Sequence, residues 1–347
     1  MNKTDLYNLS AAELEAFVKE LGQPKFRSKQ IWEWLYHHFA ADPAEMSNLP
    51  NKLRESLADQ VQIGDLKVVV SESSSDGHTE KVLFECHDGN LIETVLMRYD
   101  KRNTICMSSQ AGCAMGCVFC ATGQMGFFRH LSVAEMVAQF TYFARILKEE
   151  DGRISNVVMM GMGEPLHNYD NTLAAIDRMT DPTGIDLGNR KITISTVGMI
   201  PAMRRFADEQ RQTPLAISLH AATDEERSKL IPPNKRWPIA DLIEACQYVI
   251  DKTGRRITFE WALINGENDT VEQAEKLGAL IKGMLCHVNL IPLNPTNGFD
   301  GRPSNPERVE AFINKLGEFG VSATVRVRRG IDIQAGCGQL RDRVVNG

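Results

Sequence analysis

The chain has 347 residues and a formal net charge of -6 at pH 7, and 43% of its residues are hydrophobic. This composition is that of an ordinary globular protein, and the length is sufficient for two or three structural units. The acidic balance argues against a protein that coats nucleic acid through bulk electrostatics, although local basic clusters could still contact a polyanion. Three such clusters occur: Lys25, Arg27 and Lys29; Arg98, Lys101 and Arg102; and Arg326, Arg328 and Arg329.

The N-terminus has no features of an export signal. The stretch MNKTDLYNLSAAELEAFVKEL is amphipathic and lacks the apolar core of a signal peptide. No apolar run approaches the ~20 residues of a membrane span. We therefore expect a cytoplasmic protein without a membrane partner, in which the eight cysteines are buried, metal-bound or catalytic rather than paired in structural disulfides.

Residues 1–60 are predicted to form a small helical domain. Ser10 and Glu13 are spaced as a capping box before LEAFVKELG, and Pro24 opens the segment KFRSKQIWEWLYHHFA. Trp32 and Tyr36 recur at helical spacing within that segment, so we expect them in the core of this domain.

Residues 61–103 change to a period of two and are predicted to form a short antiparallel β extension. The runs KVVV, EKVLFEC and LIETVLMRY are separated by SSSDGH and HDGN. Both separators contain Asp-Gly, which is a strong hairpin signal.

Residues 104–347 alternate between apolar, β-branched runs and helical patterns. The strand candidates are TICMSSQ, ISNVVMMG, KITISTV, LAISLHA, RITFEWALI and HVNLIPLNP, with a last strand at SATVRVR. Six β-α units favour an α/β fold with a parallel sheet, either open or curled into a partial barrel. In such folds ligands bind at the carboxyl ends of the strands.

Three cysteines follow the first of these strands. Cys113, Cys117 and Cys120 are spaced C-x-x-x-C-x-x-C, and soft thiolates select zinc, copper(I) or iron–sulfur clusters. Zinc normally takes four protein ligands in paired C-x-x-C units. A four-iron cluster held by three cysteines leaves one iron open to a ligand that is not protein, so the triplet is a candidate catalytic centre.

Polar residues also occur at the ends of the later strands. They are the turn Gly161-Met162-Gly163-Glu164-Pro165, then Ser195, Ser218 to His220, and Asn294. Each of these alone fits turn chemistry or helix capping. Together they predict a ring of polar groups that can hold a polar cofactor next to the cluster.

These motifs resemble the radical S-adenosylmethionine (SAM) superfamily and, within it, the RlmN-like adenine methyltransferases. The resemblance extends from residues 47–54 to the C-terminal IDIQAGCGQL, through IETVLM, CMSSQAGCAMGCVFCATG, VVMMGMGEPLHNYDN, ISLHAATDEERSKLIP and VNLIPLNP. It implies a partial (β/α)6 radical SAM barrel that methylates carbon 2 of a specific adenosine in RNA. Its cofactors would be a 4Fe-4S cluster and SAM, with two SAM molecules per turnover.

The resemblance assigns the cofactor site residue by residue. Cys113, Cys117 and Cys120 match the cluster ligands. The positions that match SAM-binding residues are Gly163, Glu164, Ser195, Ser218, Leu219, His220 and Asn294. For His220, either backbone contacts alone or packing as a strand-end histidine would also account for the match.

Three further residues resemble the methyl-transfer machinery. The unsubstituted carbons of adenine are too weakly nucleophilic to take a methyl group from SAM by simple displacement, so a radical route is needed. By resemblance, Cys337 accepts a methyl group from one SAM, and Cys106 later resolves the product by forming a disulfide with Cys337. Glu93 matches the proton acceptor. The remaining cysteines, Cys86, Cys246 and Cys286, are expected to be core residues or residues without a role in the chemistry.

The implied partners are 23S rRNA, tRNA through the adenosine next to the anticodon, and an external electron donor such as flavodoxin, with the protein acting as a monomer. Basic residues of the N-terminal domain are the expected RNA contacts. Three alternatives stay open on sequence. They are methylation of carbon 8 of the same rRNA adenosine, which confers antibiotic resistance; a non-catalytic iron–sulfur RNA-binding or redox-sensing protein; and a structural zinc module.

Overall fold

The computed structural model describes residues 3–294, 296, 298–326, 330, 332, 333, 336 and 338–346. Its N-terminal part consists of β1 (Thr4–Asp5), α1 (Ala11–Glu20), α2 (Phe26–Glu33), α3 (Asn51–Gln60) and β2 (Val61–Gln62). Strands β1 and β2 pair in parallel and so bring the two ends of this unit together.

Local sequence signals account for this helical unit. The Ser10 hydroxyl accepts the Glu13 N–H at 3.2 Å and the Glu13 carboxylate accepts the Ser10 N–H at 2.7 Å, which confirms the predicted capping box. After α2 the chain continues through a π-helical turn, Trp34–His38. Trp32 and Tyr36 are buried with ring centroids 4.4 Å apart, so their predicted place in the core is confirmed.

Four antiparallel strands follow, namely β3 (Leu66–Ser73), β4 (Thr79–Cys86), β5 (Leu91–Tyr99) and β6 (Arg102–Cys106). The two Asp-Gly turns predicted from sequence join β3 to β4 and β4 to β5. Gly77 and Gly89 lie in these turns with φ of 69° and 80°, a conformation that favours glycine. The predicted antiparallel extension is therefore present.

The rest of the chain alternates strands and helices. The elements are β7 (Gln110–Gly112), α4 (Ala121–Gln124), β8 (Phe127–His130), α5 (Val133–Glu149), β9 (Asn156–Met159), α6 (Tyr169–Thr180), β10 (Ile192–Thr196), α7 (Ile200–Asp208), β11 (Leu215–Ser218), α8 (Asp224–Leu230), α9 (Ile239–Thr253), β12 (Ile257–Leu263), α10 (Val271–Ile281), β13 (Cys286–Pro292), α11 (Pro306–Glu318), β14 (Ala323–Val325) and α12 (Gln339–Asn346).

Within the described residues, ten strands form one sheet in the order β14-β13-β12-β11-β10-β9-β6-β5-β4-β3. From β6 to β14 the neighbouring strands are parallel, whereas β3 to β6 are antiparallel. Strand β6 belongs to both halves, so the predicted boundary between residues 103 and 104 falls inside it. The division into three domains stays a prediction.

One hydrophobic core lies between the strands and helices α5–α7 and α9–α11. Side chains of the N-terminal unit, including Tyr7 and Trp32, belong to the same core, so this unit packs against the barrel. In the described part of the chain, no helix is both long and apolar enough to cross a bilayer.

Candidate active site

A cavity of about 860 Å³ opens at the carboxyl ends of the parallel strands. Its volume lies in the range of ~300–1,000 Å³ that is usual for ligand pockets. The predicted site residues that line it are Glu93, Cys106, Cys113, Cys117, Cys120, Gly163, Glu164, Ser195, Ser218, His220 and Asn294. The Leu219 side chain is instead buried in the hydrophobic core, and Cys337 lies outside the described residues.

The cysteine triplet occupies the loop between β7 and α4. The Cys113 N–H donates to the Gly126 carbonyl at 2.8 Å, and the Cys120 N–H donates to the Cys117 carbonyl at 3.2 Å. Gly123 packs on this turn so closely that a Cβ atom there would lie 2.8 Å from the Cys117 carbonyl oxygen. The loop is therefore shaped by backbone contacts that a larger residue at position 123 would disrupt.

The surroundings of the three thiols are apolar. Cys113 and Cys117 cluster with Met115, Val197, Leu230, Ile231, Ile264 and Leu293. Burial raises the pKa of the Cys113 thiol to about 12 and raises the pKa of Cys117 well above its ordinary value. Each ionised thiol raises the cost of ionising its neighbours. A soft, positively charged metal centre would offset that cost, because its binding displaces the thiol protons.

The donor set fits an iron–sulfur cluster better than a single metal ion. In the part of the chain that is described, no three His, Cys, Asp or Glu side chains converge closely enough to hold one ion. A zinc site would need its thiolates to meet about 2.3 Å from one point, whereas in a cluster each thiolate takes its own iron. Cys113, Cys117 and Cys120 would hold such a cluster.

The Gly161–Pro165 turn lies directly beside the end of β6. The Gly161 N–H donates to the Met107 carbonyl at 2.9 Å, and the Met162 N–H donates to the Ser108 hydroxyl at 2.9 Å. Gly163 has a φ of 106°, and a Cβ atom there would lie 2.6 Å from the Gln110 Cβ. Position 163 therefore requires glycine.

Glu164 places a buried carboxylate on the cavity wall. Its side-chain oxygens accept the N–H groups of Val197 at 2.9 Å and Leu166 at 3.0 Å. Burial raises the pKa of Glu164 to about 7. A cationic ligand would favour the ionised form of this carboxylate, so the position suits the ammonium group of SAM.

His220 has a structural role in the cavity wall. It is buried with a φ of 59°, and its Nδ1 accepts the Ala262 N–H at 2.8 Å. Burial lowers the pKa of His220 to about 3, which keeps the ring neutral. The ring thus packs as a strand-end histidine, while Ser195, Ser218 and Asn294 line the cavity as polar candidates for SAM contacts.

Glu93 and Cys106 enter the cavity from the antiparallel side. Glu93 on β5 is 2% exposed, and its carboxylate lies 2.8 Å from the Lys81 ammonium. Cys106 ends β6. Burial raises the pKa of the Cys106 thiol, and the nearby Arg326 guanidinium opposes this effect. The structure therefore brings the predicted proton acceptor and the predicted resolving thiol to the same wall.

Sequence reasoning missed three buried charged residues near the site: Lys81, Arg227 and Glu260. Glu260 lines the cavity and accepts the Asn289 amide N–H at 2.7 Å, and burial raises its pKa to about 7. A lone acidic residue within the apolar run RITFEWALI was a signal that could have identified it. Arg227 had no such signal, because it occurs among other charges in DEERSKL.

Arg227 joins three loops that border the cavity. Its guanidinium donates to the carbonyls of Leu219 at 3.1 Å, Val197 at 2.6 Å and Ser218 at 3.0 Å, and to the Asn234 side chain at 2.8 Å. Although burial lowers the pKa of Arg227 to about 10, the guanidinium stays charged at neutral pH. It therefore fixes the backbone from which Ser218 projects.

We expect Arg227→Met to lower the free energy of unfolding by about 3 kcal/mol or more, because each buried acceptor left without a donor costs about 1–3 kcal/mol. Urea denaturation would measure the change. The exposed Arg236, in the turn that follows α8, provides the control, and Arg236→Met should change stability by less than about 0.5 kcal/mol. Equal effects of the two substitutions would contradict this role of Arg227.

Comparisons with known proteins show the family to which this chain belongs. A family profile described as "Ribosomal RNA large subunit methyltransferase N-terminal domain" matches residues 4–63, and one described as "Radical SAM superfamily" matches residues 107–278. The "Dual-specificity RNA methyltransferase RlmN 1" of Myxococcus xanthus is 51% identical over 340 residues, covering 98% of this chain and 95% of the relative. The chain belongs to the RlmN family.

A second relative within the RlmN family is the "Probable dual-specificity RNA methyltransferase RlmN" of Geobacillus kaustophilus, at 47% identity over 97% of this chain and 92% of the relative. Among solved structures, a radical SAM methyltransferase from Sphaerobacter thermophilus matches with a TM-score of 0.94 and 47% identity. The match covers 97% of this chain and 98% of that one. These matches confirm the predicted family and the predicted radical SAM fold.

Membership of the RlmN family makes the protein a SAM-dependent RNA methyltransferase and implies a 4Fe-4S cluster and SAM as its cofactors. Whole-chain relatives that carry the RlmN name do not favour the carbon-8 activity. The same membership argues against a non-catalytic iron–sulfur protein and against a zinc module. The roles of individual residues stay predictions.

Proposed function

We propose that this protein methylates carbon 2 of one adenosine in 23S rRNA and of the adenosine next to the anticodon in tRNA. The observation that carries this proposal is the arrangement of one cavity, which brings Glu93 and Cys106 to the same space as Cys113, Cys117 and Cys120. Relatives that are named dual-specificity RNA methyltransferases support the two RNA substrates.

The proposed division of labour follows from the chemistry of each side chain. When bound, the cluster and SAM supply the radical chemistry that activates a methyl group. Cys113, Cys117 and Cys120 would hold the cluster, and Glu164 would bind the SAM ammonium group. The Cys337 thiolate takes a methyl group from one SAM by displacement, with S-adenosylhomocysteine as the leaving group, and a second SAM would supply the radical that activates the S-methyl group, so each turnover would use two.

The later steps use Glu93 and Cys106. A methylene carbon then joins the Cys337 sulfur to carbon 2 of the adenine; Glu93 removes the proton from carbon 2, and the unpaired electron of the adduct passes to the electron carrier. The Cys106 thiolate then attacks the Cys337 sulfur and forms a disulfide; the electron pair of the broken sulfur–carbon bond stays on the methylene carbon, which takes a proton to become the methyl group. Because two thiols have been oxidised, a reductant must restore them. We propose an external donor such as flavodoxin for the electrons, and a monomer as the active form.

The test is an anaerobic reaction of the reconstituted protein with SAM, reductant, and separate 23S rRNA and tRNA fragments, followed by mass spectrometry of the nucleosides. We expect 2-methyladenosine in both RNAs and none with Cys117→Ala, which removes a cluster ligand. A product methylated only at carbon 8, or no methylated adenosine in either RNA, would overturn the proposal. Product in rRNA alone would remove tRNA from it.

A further inference from the structure

The described residues from 330 to 346, here called the C-terminal segment, dock on the antiparallel strands. The Asp332 carboxylate accepts the Ser75 N–H at 2.7 Å, and Arg343 donates to the Glu72 carboxylate at 2.5–2.6 Å. Both contacts lie at the rim of the extension. The innermost contact of this interface is made by a charged residue that the proposed reaction does not use.

That residue is Lys81, whose side chain is 0% exposed. Its ammonium group donates to the Gly336 carbonyl at 2.7 Å and lies 2.8 Å from Oε2 of Glu93. The same Glu93 carboxylate accepts the N–H groups of Gly338 at 2.8 Å and Arg341 at 2.7 Å. One buried ion pair therefore contacts the chain on both sides of position 337.

The sheet explains how the pair forms. Lys81 is opposite Val95, and Glu93 is opposite Leu83 in the antiparallel register of β4 and β5. Lys81 and Glu93 are thus diagonal neighbours on one face, a separation that long side chains can span. A fully buried ion pair is weak evidence for stability, because desolvation offsets much of its attraction and an apolar pair often does as well. A role in placing other groups accounts for the charge.

We propose that Lys81 is a positioning residue, whose ammonium group holds the Glu93 carboxylate and the Gly336 carbonyl, and so fixes the proton acceptor relative to the described backbone that flanks Cys337 in sequence. This inference rests on the proposed function for the roles of Glu93 and Cys337. Gly338 and Arg341 belong to the C-terminal segment, whereas Lys81 lies on β4. Lys81 therefore holds Glu93 from within the sheet, independently of the two donors in the C-terminal segment.

The first test measures how firmly the C-terminal segment is held, by hydrogen exchange of its backbone amides and mass spectrometry on the full-length protein. In Lys81→Met, amides of residues 338–341 should exchange at least ten-fold faster than in the natural protein. Lys81→Arg should restore most of the protection, because a guanidinium can donate to both a carboxylate and a carbonyl. Lys67→Met is the matched control, since Lys67 on neighbouring β3 pairs with Glu85 at 3.5 Å but is exposed.

Unchanged exchange at residues 338–341 in Lys81→Met would overturn the proposal. So would faster exchange spread equally over the whole sheet, since this would indicate a structural role only. If Lys81→Met fails to fold because Glu93 is left without a cation, the paired variant Lys81→Met/Glu93→Gln removes both charges. Residues 338–341 should then exchange faster than in Glu93→Gln alone, and equal exchange would contradict the proposal.

The second test measures coupling in the reaction. If Lys81 positions the methyl-transfer groups, Lys81→Met should form at least ten times more 5′-deoxyadenosine per methylated adenosine than the natural protein. Simple instability would lower both products together and leave this ratio unchanged, which would overturn the proposal. If the natural protein methylates no RNA, the proposed function fails. The exchange measurement still shows whether Lys81 holds the C-terminal segment.

Discussion

Cys106→Ala should leave the protein covalently attached to its RNA. In the proposed reaction the methylene carbon is bonded to both Cys337 and the adenine, and the attack of Cys106 on the Cys337 sulfur is the step that separates them. Cys106 lines the same cavity as Glu93. The substitution leaves Glu93 and Cys337 unchanged, so we expect the steps before resolution to proceed. Released product per protein should stay below one, and turnover should fall by roughly 10³-fold or more, since the loss of a residue that acts in a covalent step costs at least that much.

Denaturing gel electrophoresis with labelled RNA would show the adduct as a protein band that carries the label and disappears on RNA digestion. Cys246→Ala is the control, because Cys246 is a fully buried cysteine of α9 that is not among the described residues lining the cavity. That variant should turn over without an adduct. Normal turnover by Cys106→Ala would show that another group resolves the intermediate and that the role assigned to Cys106 is wrong.

The fold was predictable because its signals are local. The period-two runs before residue 104, the Asp-Gly turns and the Ser10–Glu13 box each depend on neighbours within a few residues. The position of the cysteine triplet in the loops beyond the carboxyl end of β6, between β7 and α4, followed from the strand order. Elements of this kind can be predicted without knowing which distant residues they contact.

The parts that sequence did not predict depend on contacts between distant residues. Lys81 and Glu93 form an ion pair that also hydrogen-bonds to the backbone of Gly336 and Gly338, more than 240 positions later in the chain. Arg227 occurs in a run of charges typical of an exposed helix, yet it is buried by the loops it joins. Local patterns carry no information about such partners.

The roles of the cysteines illustrate the same limit. The sequence around each of Cys86, Cys106 and Cys246 is typical of a buried cysteine in a hydrophobic core. Cys246 is such a core residue. Only Cys106 among these three reaches the cavity. Family resemblance gave Cys106 a predicted role before the structure gave its location, and neither spacing nor burial alone would have distinguished it.

Cys337→Ala should separate SAM cleavage from methyl transfer. The cluster ligands and Glu164 are intact in this variant, so 5′-deoxyadenosine should still form at some level, whereas protein and RNA should both lack a transferred methyl group. Intact-protein and nucleoside mass spectrometry with methyl-labelled SAM would measure this, and methylated RNA at more than about 0.1% of the natural rate would contradict the role of Cys337. Cys106→Ala/Cys337→Ala should form no adduct. An adduct in the double variant would place the bridging carbon on some other residue.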